Sequence, residues 1–202
     1  MKILNLYAGI GGNRKNWGDE HQITAIEHKQ EIADIYKGFF PKDKVIVDDA
    51  HKYLLEHFME FDFIWSSPPC SSHSKVRFIA IYDKNGEIRQ KPVFPDMKLW
   101  QEIIFLKHHF KGKWIVENVI GYYKPLITPI ILGKHYFWSN FSITPIENFY
   151  RGHKATIEQL QKIKGFKLNN NIKQKRLLLR NCVEPEIGKH ILNCSMQKMS
   201  LF

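Results

Sequence analysis

The sequence predicts an α/β fold, doubly wound around a mostly parallel sheet with helices on both faces. Three observations point there. Short apolar runs alternate with helix-spaced patterns through the first two-thirds of the chain, as expected of parallel strands joined by crossover helices. The first apolar run ends in a glycine-rich turn, where backbone can approach a ligand without Cβ clashes. The length of 202 residues suits one domain, with 44% hydrophobic and 13% aromatic residues to build its core.

The elements follow in order. Residues 3–8 (ILNLYA) read as a buried strand running into Gly9-Ile10-Gly11-Gly12. Residues 23–26 form a second strand ending at Glu27. Apolar spacing at Ile32, Ala33, Ile35, Tyr36 and Phe39 predicts a helix over 29–40, stopped by Pro41. Residues 45–47 are a third strand closed by Asp48-Asp49, 50–58 a helix, and 61–66 a fourth strand. Residues 67–95 hold Pro68, Pro69, Pro92, Pro95 and the turn signal Lys84-Asn85-Gly86, so they read as a long loop with one hairpin at most. Asp96 is the expected N-cap of a helix carrying Leu99, Ile103, Leu106 and Phe110 on one stripe. Residues 114–116 are a fifth strand ending at Glu117-Asn118, and 130–132 with 136–143 form a closing hairpin. Helices are expected over 156–164 and 186–197, flanking an Asn169-Asn170-Asn171 loop and a basic cluster of Lys173, Lys175, Arg176 and Arg180.

Lys plus Arg number 30 against 20 Asp plus Glu, so an anionic partner is expected, nucleic acid before an acidic membrane. No apolar run reaches the roughly 18 residues of a spanning helix. The opening MKILNLYAGIGGNRKNWGDE turns charged without a small-residue cleavage site and reads as mature sequence, not a signal peptide. Cys70, Cys182 and Cys194 form no C-x-x-C pair, which fits a reducing cytoplasm. No histidine precedes a Glu by two positions, and His73 stands where a zinc deaminase has its second cysteine, so no metal site is expected.

Doubly wound sheets gather ligands beyond the carboxyl ends of their strands. That rule brings residues 7–12, Glu27, Asp49, residues 67–70 and Glu117 to one edge. Arg14 stands where a dinucleotide fingerprint has its third glycine, so the turn suits a mononucleoside-type ligand better than NAD. Glu27 is placed to accept from a ribose hydroxyl pair and Asp49 to hold an adenine amino group; taken alone, each acid reads equally as a surface cap. Pro68 and Pro69 stiffen the backbone before Cys70. Lys75, Arg77 and His73 are expected to lower the pKa of its thiol. Glu117, flanked by apolar residues, is expected to be partly desolvated, an environment that lets a carboxyl donate a proton near neutrality.

Together these segments resemble the DNA cytosine-5 methyltransferases. Asn5-Leu6-Tyr7-Ala8-Gly9-Ile10-Gly11-Gly12 is similar to the family's first motif, Pro68-Pro69-Cys70 to its nucleophile motif, and Glu117-Asn118-Val119 to its glutamate motif. Arg180-Asn181-Cys182-Val183-Glu184-Pro185 is a weaker match to its Asn-containing motif. The resemblance implies a Rossmann-like methyltransferase sheet, S-adenosyl-L-methionine as cofactor, and DNA as partner. It implies Cys70 and Glu117 as catalytic residues. Tyr7, Ala8, Gly9, Ile10, Gly11, Gly12, Glu27, His28, Asp49, Ala50, Pro69 and Asn181 are the implied cofactor contacts. Ser71, Ser74, Lys75, Arg77 and Asn118 are the implied substrate contacts. Residues 1–145 are then the cofactor and catalytic core of a single domain, and 146–202 a segment that packs back and closes the cofactor site.

The sequence also departs from the family. Ser71-Ser72-His73-Ser74 follows the nucleophile where Gln, any residue, Phe and Ser are usual, and Arg180 replaces a glycine. Gly133-Lys134-His135-Tyr136-Phe137-Trp138 stands where a Gln-x-Arg-x-Arg motif is expected. Little room remains for a target-recognition segment between Trp138 and Thr156, which leaves open a second subunit or homodimer, a reduced site read by the 71–95 loop, and weak specificity. The implied setting is a bacterial or phage-encoded protein of the cytoplasm, associated with the nucleoid. Two alternatives stay open: a tRNA cytosine-5 methyltransferase, and a non-catalytic cofactor-binding subunit of a split DNA methyltransferase.

Overall fold

The computed structural model describes residues 1–146 and 155–197. Its strands are β1 (Lys2–Leu6), β2 (Gln22–Ile26), β3 (Lys44–Ile46), β4 (Phe63–Ser66), β5 (Lys113–Val119), β6 (Ile130–Leu132) and β7 (His135–Ser139). They form one sheet in the order β3-β2-β1-β4-β5-β7-β6. The pairings among β1 to β5 are parallel, and β7 runs antiparallel to both its neighbours. The helices are α1 (Gln30–Phe39), α2 (Ala50–His57), α3 (Lys75–Ile79), α4 (Lys98–His109), α5 (Ile157–Lys164), α6 (Lys175–Asn181) and α7 (Pro185–Met196). The architecture is the expected Rossmann-like one. Among the described residues, no helix is long and apolar enough to cross a membrane.

Strand alternation sends neighbouring side chains to opposite faces, and both faces are apolar. Leu4, Leu6, Ile64 and Val116 pack with Tyr53 and Leu54 of α2 and with Leu99, Ile103 and Leu106 of α4. On the other face Ile3, Phe63, Trp65, Ile115 and Phe137 meet Ile187, Ile191 and Leu192 of α7. Trp17 joins that layer and donates its indole N–H to the Gly188 carbonyl at 3.0 Å. A third cluster joins Tyr36 and Phe40, at the end of α1, to Leu160, Phe166, Leu179 and Cys182 from the α5–α6 region. Beneath the glycine turn, Arg14 grips Asp43 with two hydrogen bonds of 2.9 and 3.1 Å, and the Tyr36 hydroxyl donates to the same carboxylate at 2.8 Å. Arg14 therefore occupies the third-glycine position as a buried structural cation.

Several boundaries differ from expectation for identifiable reasons. β1 stops at Leu6 and not at residue 8, because Tyr7 adopts a left-handed φ of 54°. β5 runs three residues beyond Val116, because β7 pairs antiparallel with Glu117, Asn118 and Val119. Glu117 thus lies inside a strand, not past its end. The N-cap of α4 is Met97; Asp96 sits one residue earlier and accepts from the Lys98 N–H at 3.0 Å. The 67–95 loop contains α3, capped by the Ser74 hydroxyl, and a Tyr82–Ile88 bridge that closes the hairpin. The basic cluster at 173–180 mostly forms α6, whose only buried side chain is Leu179.

Candidate active site

The carboxyl ends of β1, β2 and β4 and the last residues of β5 surround a cavity of about 270 Å³, close to the lower bound of roughly 300 Å³ for small-molecule sites. The glycine turn forms one wall. Gly11 N–H closes the turn on the Ala8 carbonyl at 2.9 Å, and Gly9 N–H donates to the Glu27 carboxylate at 3.1 Å. Gly9 has a φ of 55°, and nothing lies within 4 Å of where its Cβ would be, so its backbone faces open space. The buried Glu27 also accepts from Lys29 N–H at 3.1 Å and lies 3.1 Å from the His28 ring. Behind the turn, the Asn13 amide donates to the Asn5 side chain at 2.8 Å.

The segment carrying Cys70 is held from two sides. Asn118 donates its amide to the Pro68 carbonyl at 3.0 Å. The Cys70 carbonyl accepts from His73 and Ser74 N–H, both at 3.0 Å, and Tyr122 N–H bonds the His73 carbonyl at 3.1 Å. The His73 ring, itself buried, shares a 2.6 Å hydrogen bond with the Tyr123 hydroxyl. The cationic activation expected of Lys75, Arg77 and His73 is not what the environment of Cys70 provides. Burial, and then the negative charge of Glu117, push the Cys70 thiol above the usual cysteine range. Burial also pushes His73 down toward its neutral form, while Lys75 and Arg77 stand exposed on α3.

Glu117 is buried within β5, opposite Phe137. His135 brings Nε2 to 3.9 Å from its carboxylate. The far wall comes from the last third of the chain. Lys164 is buried, donates to the Cys182 carbonyl and pairs with Glu184 at 2.9 Å, fixing the segment that carries Asn181 to Val183. Burial pushes the Cys182 thiol up to about 12, so it is no competing nucleophile.

Of the residues singled out from sequence, Tyr7, Ala8, Gly9, Ile10, Gly12, Glu27, His28, Pro69, Cys70, Glu117, Asn118 and Asn181 line this cavity. Gly11, Asp49, Ala50, Ser71, Ser74, Lys75 and Arg77 lie outside its lining. Gly11 makes room for the Tyr36 and Phe40 rings. Asp49 caps α2, accepting from His51 and Lys52 N–H at 2.8 and 3.2 Å; the Lys52 bond leads in holding its carboxyl below the usual range. Ala50 is buried in the α2 core layer, and the Ser74 hydroxyl caps α3. Sequence reasoning missed Asn13, Lys29, Ile32, His135 and Leu178 as lining residues, while Arg180 and Val183 entered only as members of the Asn-containing motif. Asn13 follows the glycine turn directly and was open to recognition. His135 carries no local signal, since only the antiparallel return of β7 brings it beside Glu117.

Known proteins were compared with this arrangement. The family model described as C-5 cytosine-specific DNA methylase matches residues 1–125. Type II methyltransferase M.Bsp6I of Bacillus sp. (strain RFL6) is 26% identical over 127 residues, which are 60% of this chain and 38% of that protein. The chain therefore spans well under half the length of that relative. A putative DNA modification methyltransferase encoded within an E. coli prophage superposes with a TM-score of 0.46 at 16% identity, over 85% of this chain and 56% of that one. A mutant of Spodoptera frugiperda DNMT2 gives 0.40 at 24% identity, over 60% of this chain and 36% of that one. The matched stretch covers more than half of the chain and contains both Cys70 and Glu117, and on that ground the chain belongs to the C-5 cytosine-specific DNA methylases.

Proposed function

We propose that this chain transfers a methyl group from S-adenosyl-L-methionine to C5 of cytosine in DNA. The observation that carries the reading is that Cys70 and Glu117 line one cavity together with the glycine turn and Glu27. The residues present fit the cofactor: open space faces the Gly9 backbone, and a buried carboxylate stands at the end of β2 where a ribose would need it. Tyr7, Ala8, Gly9, Ile10, Gly12, Glu27, His28, Pro69 and Asn181 would hold it. When bound, the cofactor supplies an electrophilic methyl group carried on a sulfonium.

The chain's own residues do the rest. Cytosine C5 is a poor nucleophile. The Cys70 thiol gives up its proton to water and its sulfur bonds to C6, while Glu117 protonates or hydrogen-bonds N3, leaving C5 enamine-like. C5 takes the methyl group. Water then takes the C5 proton, the freed electron pair re-forms the C5–C6 double bond and expels the Cys70 thiolate, and any proton on N3 returns to Glu117. C6 is hidden inside stacked duplex, so the base must swing out, at a cost of a few kcal/mol. Lys75 and Arg77, exposed beside the nucleophile segment, and an excess of ten cationic residues (30 − 20) supply phosphate contacts for that state. Residues 1–145 act as cofactor and catalytic core, the described part of 146–202 closes the cofactor site (147–154 and 198–202 lie outside the described residues), and a second subunit or second copy supplies target recognition.

A duplex oligonucleotide carrying 5-fluorocytosine tests the reading, because fluorine cannot leave as the C5 proton does. With S-adenosyl-L-methionine present, a covalent adduct through Cys70 is expected to survive a denaturing gel, and C70A is expected to give none. No adduct on any duplex, combined with no tritiated-methyl transfer to DNA, overturns the proposal. Transfer to bulk tRNA instead moves the substrate to RNA.

A further inference from the structure

We propose that Glu102 is a positioning residue for the cofactor cleft, acting through Tyr7. Glu102 lies on α4, outside every segment that the resemblance singles out, and is 1% exposed. Its carboxylate receives three donors. The Tyr7 hydroxyl reaches Oε1 at 2.6 Å, the His51 ring Nδ1 reaches the same oxygen at 2.9 Å, and the Ser66 hydroxyl reaches Oε2 at 2.6 Å. Those donors come from three different parts of the site. Tyr7 opens the glycine turn, Ser66 is the last residue of β4 before the nucleophile segment, and His51 lies in the first turn of α2. Leu6 and Ser66 are register partners across β1 and β4, so the carboxylate bridges two neighbouring strand ends from beneath.

A buried carboxylate is a costly choice for a helix face that otherwise packs Leu99, Ile103 and Leu106. It is sustained because every donor in reach is turned toward it. Tyr7 carries a φ of 54°, a conformation that residues other than glycine seldom hold unless surrounding contacts fix it. Tyr7 lines the cavity, and its hydroxyl is anchored on Glu102. Glu102 therefore sets the wall against which the cofactor rests without touching the cofactor. The charge is also felt by its partners: the hydrogen bond to Glu102 raises the His51 pKa, and burial followed by the Glu102 charge holds the Tyr7 hydroxyl in its protonated, donating form.

The inference rests on the cofactor reading above, and the test separates the two. S-adenosyl-L-homocysteine affinity is measured by calorimetry on the full chain, with thermal unfolding of each variant alongside. Y7F keeps the ring and removes only the anchor; about fivefold weaker binding is expected, and E102L is expected to cost about tenfold or more. E102Q keeps an acceptor for Tyr7 and a donor toward Ser66, so it is expected to recover most of the loss of E102L. The Y7F/E102L double variant is expected to bind no more weakly than E102L, since E102L already removes the bond that Y7F removes. Y7F binding as tightly as the parent, or losses that multiply in the double variant, would overturn the inference. A parent chain that binds no S-adenosyl-L-homocysteine overturns the cofactor reading itself.

Discussion

The side-chain amide of Asn118 donates to the carbonyl of Pro68 at 3.0 Å. That bond ties the residue following Glu117 to the residue two before Cys70, so the two catalytic candidates are held by one clasp across 50 positions of sequence. Replacing Asn118 with Ala leaves a buried carbonyl without its partner. A loss of about 1–3 kcal/mol of stability is expected in urea unfolding. Methyl transfer is expected to fall further than that loss explains, because the spacing of sulfur and carboxylate is released.

Cys70→Ala is expected to reduce tritiated-methyl transfer to background while leaving S-adenosyl-L-homocysteine affinity within about twofold of the parent. On the proposed mechanism the sulfur engages the pyrimidine and not the adenosyl group. Transfer at the parental rate would remove covalent catalysis from consideration.

The thiol also gives a pH prediction. Burial and the Glu117 charge raise the Cys70 pKa, so the neutral thiol dominates at pH 7 and the reactive thiolate grows as pH climbs through and beyond the ordinary cysteine range. Iodoacetamide is expected to label Cys70 more slowly at pH 7 than a free cysteine peptide, with the rate rising toward alkaline pH. Glu117→Gln removes one of the two causes and is expected to shift that rise to lower pH. Peptide mapping isolates Cys70, since Cys182 and Cys194 are buried.

Asp43→Ala is expected to cost about 3–5 kcal/mol, the usual penalty for stranding a buried charge. Arg14 loses its bidentate partner and the Tyr36 hydroxyl loses its acceptor in the same step. Thermal or urea unfolding reads the loss directly. A change below 1 kcal/mol would mean that Arg14 finds Asp19, now 3.5 Å away, as a full replacement.

Much of the fold was legible because each strand of the parallel core is an apolar run bounded by a Gly, an acid or a Pro. The glycine turn, Cys70 and Glu117 were legible for the same reason: strand ends in such a sheet converge. What escaped the sequence depends on tertiary pairing. His135 reaches the cavity only through the return of β7, and α6 is hidden because its period is carried by cations with a single buried Leu179. Asp49 was singled out as a ligand contact and caps α2, since an acid after a short strand and before a helix satisfies both descriptions. The effect expected of His73, Lys75 and Arg77 on Cys70 was misjudged because proximity in sequence did not translate into a charge beside the sulfur.

A Cβ on Gly12 would come within 2.2 Å of the Cys182 sulfur and 2.4 Å of the Val183 carbonyl oxygen, so the early turn and the late segment already touch at the cavity edge. A ligand seated there would bridge two segments that lie 170 positions apart in sequence (182 − 12). Its binding energy would clamp α6 and α7 onto the sheet. A nascent chain would gain that clamp only once α7 has cleared the ribosome.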